Sequence, residues 1–351
     1  MKKLGIVVAY RKEETDLDAT IADAQRSAGG KNSCVVFAVE DKDMSGPGWN
    51  RHRGIDAAID CDVVAIIDAH MRFRGNALKV MAGAVREKGG MLCPRTWHNE
   101  NCSFDTEKAP YKGARIVWQS DDHQPKFSPL AAKWARDGRP ATCVMGACYV
   151  FKRDWYYSAG QPLSILRGWG GDEEALSIAA WMTGEEISVH KAEVAHRYRA
   201  KVPYAVAPGE QMCRTANRVA LCRAFIVDAS ARTQQIHFAK MATPQNIDHC
   251  FRPEEIERLR LAMLKAPRSF EQWRREVCDP SILGGMQSKP AATIRRTNPV
   301  VVEHGISCPH CQTVMPSNSF DVTNSYPNGN RRRICPTCFL PFVTVPEAVL
   351  Q

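Results

Sequence analysis

The sequence predicts an α/β protein: a Rossmann-like, mostly parallel sheet first, then a helical extension, then a small cysteine-bearing unit. Three observations predict it. Strand-like and helix-like runs alternate from residue 4 to residue 88, helical periodicity dominates residues 205 to 280, and two Cys-x-x-Cys pairs fall within residues 301 to 351. A βαβαβα order implies parallel pairing with right-handed crossovers.

Residues 4 to 10 read as a strand because the apolar run Leu4 to Val8 stops at Arg11, Lys12, Glu13 and Glu14. Those charges, arriving at once, also argue against a signal peptide despite Lys2 and Lys3. A helix at 15–28, a strand at 34–40, a helix at 50–60, a buried strand at 62–68 and a helix at 74–88 follow. From 95 to 140 the pattern breaks into Trp, Asn, Pro, Gly and charged residues, which predicts an irregular stretch over the carboxyl edge of the sheet, where loops meet substrate. A strand at Cys143 to Phe151 leads to Gly168-Trp169-Gly170-Gly171-Asp172-Glu173-Glu174. Ala175 to Thr183 then reads as a helix closed by Gly184, with the acids in its first turn. Ile187-Ser188-Val189 is a further strand-like run, with His196 near it. Ala216 to Ala229 is apolar on one face, Pro253 to Lys265 opens on proline and glutamates, and Gly284, Gly285, Pro290 and Pro299 mark 281–300 as a linker. The expected divisions are 1–204, 205–300 and 301–351.

Hydrophobic content of 44% and charged content of 24% are those of an ordinary globular chain, and no apolar run approaches the roughly 18 residues of a membrane span. Fourteen cysteines, ten of them scattered singly, point to a reducing compartment. A cytoplasmic location is expected, the host cytoplasm if the chain is viral. The net charge of +9 is uneven: residues 191 to 300 carry 19 Lys/Arg against 10 Asp/Glu, whereas residues 1 to 190 balance at 25 against 25. A polyanion such as nucleic acid and ordinary solubility explain that excess equally well.

Two clusters carry chemistry. Asp68-Ala69-His70 follows the run Asp62 to Ile67, and residues i and i+2 of an extended chain point to one side, so Asp68 and His70 can grip one ion. His196 offers a third ligand near a second strand-like run. An ion there would sit where open α/β sheets bind ligands. Carboxylate plus imidazole without thiolate favours manganese or magnesium bridging a diphosphate over a structural zinc. Alone, an Asp-x-His is more often a pair of surface strand-end residues. The second cluster, Cys308 and Cys311 with Cys335 and Cys338, leaves 23 residues between its pairs. Four thiolates so spaced suit one tetrahedral structural zinc in a zinc ribbon, against the alternatives of a redox pair or free cysteines. Arg331-Arg332-Arg333 fits either a phosphate contact or a solvated basic turn, and Phe320 and Tyr326 are candidates for stacking on bases.

From about residue 4 to about residue 204 these pieces, in this order, resemble a GT-A fold glycosyltransferase of the family 2 and polypeptide N-acetylgalactosaminyltransferase kind. The resemblance lies in Val7 to Glu13 with Leu17 to Ser27, Val39-Glu40-Asp41, Asn50 to Ala58, Asp68-Ala69-His70, Gly146 to Phe151, Gly168 to Glu173, Val194 to Arg199, and Pro203-Tyr204. It implies a UDP-sugar donor, with Ala9 at the nucleobase, Glu40 or Asp41 holding the uridine, and Arg51 on the helix before the metal strand. It further implies that His196 completes the metal site, Arg199 and Tyr204 close over the diphosphate, and Trp169 lines the sugar pocket. Asp172-Glu173 departs from the polypeptide enzymes, which place Asn after Gly-Gly-Glu, and lies nearer the family 2 pair in which an acid serves as base. Under inversion Glu173, ahead of Asp172, would take the acceptor proton; under retention the same acids would hold sugar hydroxyls. Residues 205 to 351 read as helical and then cysteine-bearing, so no counterpart of the polypeptide enzymes' lectin domain is expected among them.

The expected function is transfer of a sugar from a UDP-sugar to the hydroxymethyl group of a modified pyrimidine in DNA, hydroxymethylcytosine or hydroxymethyluracil. Viral (bacteriophage) DNA-base glycosyltransferases are the resemblance behind that acceptor, and the base would have to be flipped out. Two alternatives stand beside it: a protein Ser/Thr or glycan acceptor, and a catalytically idle nucleic-acid-binding module.

Overall fold

The computed structural model describes residues 2–12, 14–104, 109–118, 130–136, 141–145, 147–198, 210–226 and 251–277, with five short strands beyond residue 304. In chain order the main body takes β1 (Lys3–Tyr10), α1 (Leu17–Ser27), β2 (Cys34–Glu40), α2 (Pro47–Ala57), β3 (Cys61–Asp68), β4 (Met71–Phe73) and α3 (Ala77–Lys88). There follow β5 (Met91–Asn99), β6 (Tyr111–Lys112), β7 (Ala114–Trp118), β8 (Leu130–Trp134), β9 (Cys148–Lys152), α4 (Arg153–Ser158) and a 3-10 turn at Pro162–Ile165. The body closes with α5 (Asp172–Thr183), β10 (Ile187–Arg197), α6 (Glu210–Phe225), α7 (Pro253–Leu264) and α8 (Phe270–Glu276).

The main sheet runs β2-β1-β3-β9-β5-β10-β4, with β6 paired to β5. β1 pairs in parallel with β2 and β3, and β5 with β10, while β9 lies antiparallel between β3 and β5 and β4 antiparallel beside β10. Helices cover both faces, so the central strands are apolar on both sides. Ile6, Val8, Ala65 and Ile67 join Leu78, Met81 and Val85 of α3 in one core, and Val7, Val64 and Ile66 join Ile55 of α2 in the other. Each such side chain contributes roughly 1.5–3 kcal/mol by leaving water. α2 approaches β1 at Gly54, where a Cβ would stand 2.3 Å from Val7 Cγ1.

Through α3 every predicted element is present with small shifts at its ends, and one short strand, β4, is added that the pattern does not predict. Two features differ. The pattern of residues 143–151 predicts a strand but not its direction; β9 starts only at Cys148 and enters antiparallel, while Cys143 makes an isolated bridge to Ala114. The stretch expected to be irregular from residue 95 contains the end of β5, β6 and the β7–β8 hairpin. Its strands escape a periodicity search because Trp97, His98 and Asn99 do not alternate apolar with polar.

Helices after residue 205 share the second core: Val219, Leu221 and Phe225 of α6, Ile256 and Leu259 of α7 and Trp273 of α8 pack with Leu163 and Leu176. Beyond them β11 (Gly305–Ser307) pairs antiparallel with β12 (Val314–Pro316), and β13 (Asp321–Ser325), β14 (Arg331–Ile334) and β15 (Pro341–Thr344) form a three-stranded sheet. The four zinc-candidate cysteines, Phe320, Tyr326 and the 281–300 linker lie outside the described residues. Among the described residues no helix is long and apolar enough to cross a membrane.

Candidate functional site

The parallel strands β1, β3, β5 and β10 end at one edge, and their last residues line a cleft of about 380 Å³, within the range of small-ligand sites. β1 supplies Ala9 and Tyr10, the turn after β2 supplies Asp41, β3 supplies Asp68, β5 supplies His98, and β10 supplies His196 and Arg197. Trp169, Gly170, Asp172 and Glu173, from the loop and helix after β9, also line it. The cleft therefore has two walls, one of strand ends and one built from a glycine loop running into a helix.

On the strand wall one ligand atom each from Asp68, His70 and His196 lies within 4.8 Å of the others. His196 Nε2 is buried without a hydrogen-bond partner and faces Asp68 Oδ2 at 3.2 Å. A buried imidazole nitrogen without a hydrogen-bond partner, beside a carboxylate, fits a divalent cation, and the nitrogen-and-oxygen set suits manganese or magnesium. The backbone here is pinned. Thr20 Oγ1 accepts from the Met71 amide at 3.0 Å and donates to the Ala69 carbonyl at 3.0 Å, while the Arg197 amide donates to the His70 carbonyl at 3.0 Å. Burial opposes ionisation of Asp68, yet His196, Arg51 and His70 hold its carboxyl well below the usual range.

Each imidazole has a further partner. His70 Nδ1 stands 3.0 Å from Glu14 Oε2, and His196 Nδ1 stands 3.0 Å from His98 Nδ1. His98 and His196 are register partners of β5 and β10, which is why their rings stack at 4.8 Å. Burial first, and the neighbouring His196 second, push the His98 pKa down to about 4, so His98 is neutral at pH 7.

The helix wall is organised by Arg51 of α2, 5% exposed, which donates to Asp172 through Nη1 and to Asp68 Oδ1 at 2.6 Å through Nη2. Asp172 is thus neutralised by an ion pair, leaving Glu173 as the acid open to the cleft. Burial, then Asp172 and Glu174, raise the Glu173 carboxyl well above its ordinary range. The loop before these acids is held by Asn217 of α6, 2% exposed: its Oδ1 accepts from the Arg167 amide at 2.8 Å and its Nδ2 donates to the carbonyls of Arg167 at 2.7 Å and Gly170 at 2.6 Å. The Gly168 amide donates to the Ser45 carbonyl at 2.7 Å, and Gly46, at φ +87°, passes so close that a Cβ would overlap Gly168.

The structure brings Ala9, Asp41, Arg51, Asp68, His70, Trp169, Asp172, Glu173 and His196 to one cleft. Glu40 is not among its lining residues. Its side chain turns to Lys42 Nζ at 3.5 Å and borders a separate shallow depression, because neighbouring strand residues point to opposite sides. Asp41 has both carboxylate oxygens engaged, Oδ1 by the Gly46 amide (3.1 Å) and Asn50 Nδ2 (2.7 Å), Oδ2 by Arg11 Nε (3.2 Å). Arg199 and Tyr204 lie outside the described residues. Sequence reasoning missed Arg11, Glu14, Asn50, His98, Arg197 and Tyr198 as lining residues. Arg11 and Glu14 were visible as charges crowded after β1, whereas His98, in an aperiodic stretch, carried no signal.

No protein-family profile matches the chain. In sequence it is similar to polypeptide N-acetylgalactosaminyltransferase 10 of Mus musculus, 24% identical over 164 residues, covering 45% of this chain and 27% of that one. It is likewise similar to polypeptide N-acetylgalactosaminyltransferase 3 of Drosophila melanogaster, 23% identical over 165 residues, covering 44% and 25%. The chain thus spans about a quarter of the length of these relatives. In structure it is similar to GalNAc-T7, solved with UDP, GalNAc and Mn2+, with a TM-score of 0.54 at 14% identity, covering 79% of this chain and 56% of that one. The shared fold is the GT-A-like glycosyltransferase fold.

Proposed function

We propose that this chain is a metal-dependent glycosyltransferase that moves a sugar from a UDP-sugar to a hydroxyl. One observation carries the reading: a nitrogen-and-oxygen cation triad and a pair of acids, Asp172 and Glu173, line one cleft at the carboxyl edge of the sheet. The similarity to polypeptide N-acetylgalactosaminyltransferases supports it.

When bound between Asp68, His70 and His196, a divalent cation supplies neutralisation for the charge that grows on the departing diphosphate. Arg11 and Arg197, both lining the cleft, add positive potential on the same side. Arg51 pairs with Asp172 and fixes it, which leaves Glu173 to meet the acceptor. The bond from the anomeric carbon to the diphosphate oxygen breaks, a bond from that carbon to the acceptor oxygen forms, and the hydroxyl proton passes to the Glu173 carboxylate. Burial makes Glu173 a stronger base than an exposed acid.

The acceptor we propose is a hydroxymethylated pyrimidine in DNA. The basic excess of residues 191 to 300 supports it, as do Trp169 and Tyr198, exposed at 41% and 48% on the rim, where an extruded base can stack. Similarity to polypeptide transferases favours a second reading, a protein Ser/Thr hydroxyl. Incubation with Mn2+, UDP-sugars and either hydroxymethylated DNA or Ser/Thr peptides, followed by mass analysis, decides between them; no glycosylated product with any acceptor and donor removes both. Turnover that falls steeply with salt favours DNA.

For the C-terminal unit we propose one structural zinc held by Cys308, Cys311, Cys335 and Cys338. In sequence the pairs fall between strands that pair antiparallel, β11 with β12 (Ser307 opposite Val314) and β14 with β15 (Ile334 opposite Pro341), a spacing that supports a zinc ribbon. One zinc per chain by elemental analysis is expected, lost in Cys311→Ser.

A further inference from the structure

We propose that Glu14 and His98 are positioning residues that fix which ring nitrogen of His70 and His196 faces the cation site. The inference rests on the metal-dependent reading above. A carboxylate only accepts, so the 3.0 Å contact between His70 Nδ1 and Glu14 Oε2 places the ring proton on Nδ1 and leaves the Nε2 lone pair free for the cation. Glu14 is itself held: its side chain is 7% exposed, its Oε1 accepts from the Asp16 amide at 3.2 Å, and its own amide donates to the Arg11 carbonyl at 2.9 Å. It therefore acts on His70 as a fixed acceptor.

The pair on β5 and β10 works differently. Two imidazoles joined Nδ1 to Nδ1 at 3.0 Å share one proton, and two arrangements satisfy the contact. With the proton on His98, His196 carries its own on Nε2, toward Asp68; with the proton on His196, Nε2 is a bare lone pair. Only the second can ligate. His98, stacked in register, is the acceptor that makes it available. Partners of this kind orient metal-ligating histidines and typically change metal affinity 10–100-fold.

Two readouts on the full chain test this. Long-range 15N correlation spectra of the histidine rings in EDTA report tautomers directly: wild type should show His70 as Nδ1–H, and Glu14→Leu a mixture. Mn2+ affinity, followed by the electron paramagnetic resonance of free ion, should fall about 10–100-fold in Glu14→Leu and in His98→Phe. It should recover in part in Glu14→Gln and His98→Asn, which keep an acceptor oxygen. Melting temperatures in EDTA monitor folding. Wild-type His70 protonated on Nε2, or wild-type Mn2+ affinity in folded Glu14→Leu and His98→Phe, overturns the proposal. Should wild type and Asp68→Ala take up Mn2+ equally, the metal-dependent reading fails instead, and the ring spectra still decide what Glu14 does to His70.

Discussion

The two walls of the cleft are made by opposite means. The strand wall presents side chains from the ends of β3 and β10 and the turn after β3, backed by a hydroxyl, a carboxylate and an imidazole that leave ligand atoms facing one point. The helix wall presents a loop that cannot hold itself and is pinned from behind by Asn217 and Ser45, with one of its two acids already consumed by Arg51. The first is gathered by strand ends and the first helix; the second needs a helix that arrives later in the chain. In the function proposed above, the strand wall would take charge on the donor side and the helix wall would take the acceptor proton.

Removing a strand-wall ligand should have the largest effect. His196→Ala is expected to lower turnover about 10³-fold or more, because transition-state charge on the diphosphate loses several kcal/mol of stabilisation. Mn2+ binding, followed by titration calorimetry, should go with it while the fold survives. Retained metal-dependent turnover would mean that the ligand set is wrong. On the opposite wall Glu173→Gln should reduce kcat about 10²–10³-fold with Mn2+ affinity unchanged, the signature of a lost base. Loss of both together would merge the two walls into one unit. Asn217→Ala should cost roughly 1–3 kcal/mol in denaturant unfolding, since it strands the buried groups it satisfies. It should also raise the donor KM through a loosened Trp169 loop. The smallest effect is electrostatic. Glu173 accepts a proton only when ionised, and its carboxyl titrates above the ordinary range, so turnover should fall on acidification from a higher pH than an exposed acid gives. Glu174→Gln removes a neighbouring negative charge and should move that limb of the pH profile downward; an unmoved limb would take Glu173 out of the base role.

Much of the strand wall was legible because it obeys short-range rules. The apolar run before Asp68 fixed a buried strand, and the i, i+2 spacing of Asp68 and His70 fixed their common side. His98 was illegible for the converse reason: its meaning comes from register with His196, across 98 positions of chain. Glu14 stood in plain view among the charges after β1, but nothing local to it points to His70. The direction of β9 follows from where the chain returns after an excursion of some fifty residues, which no local pattern encodes. On the helix wall the acids after the glycines were visible, but that Arg51 would claim Asp172 rather than Glu173 was not.

The place of β9 bears on how the chain is born. Strands β3 and β5 are both made early, yet the ribbon that joins them is Cys148–Lys152, and β10 and α6 come later still. A ribosome extruding this polypeptide delivers β1 to β3 and β5 before β9, the strand that pairs with both β3 and β5, so those two edges wait unpaired. Nascent products stopped short of residue 148 are therefore expected to be sticky clients of chaperones rather than small stable domains.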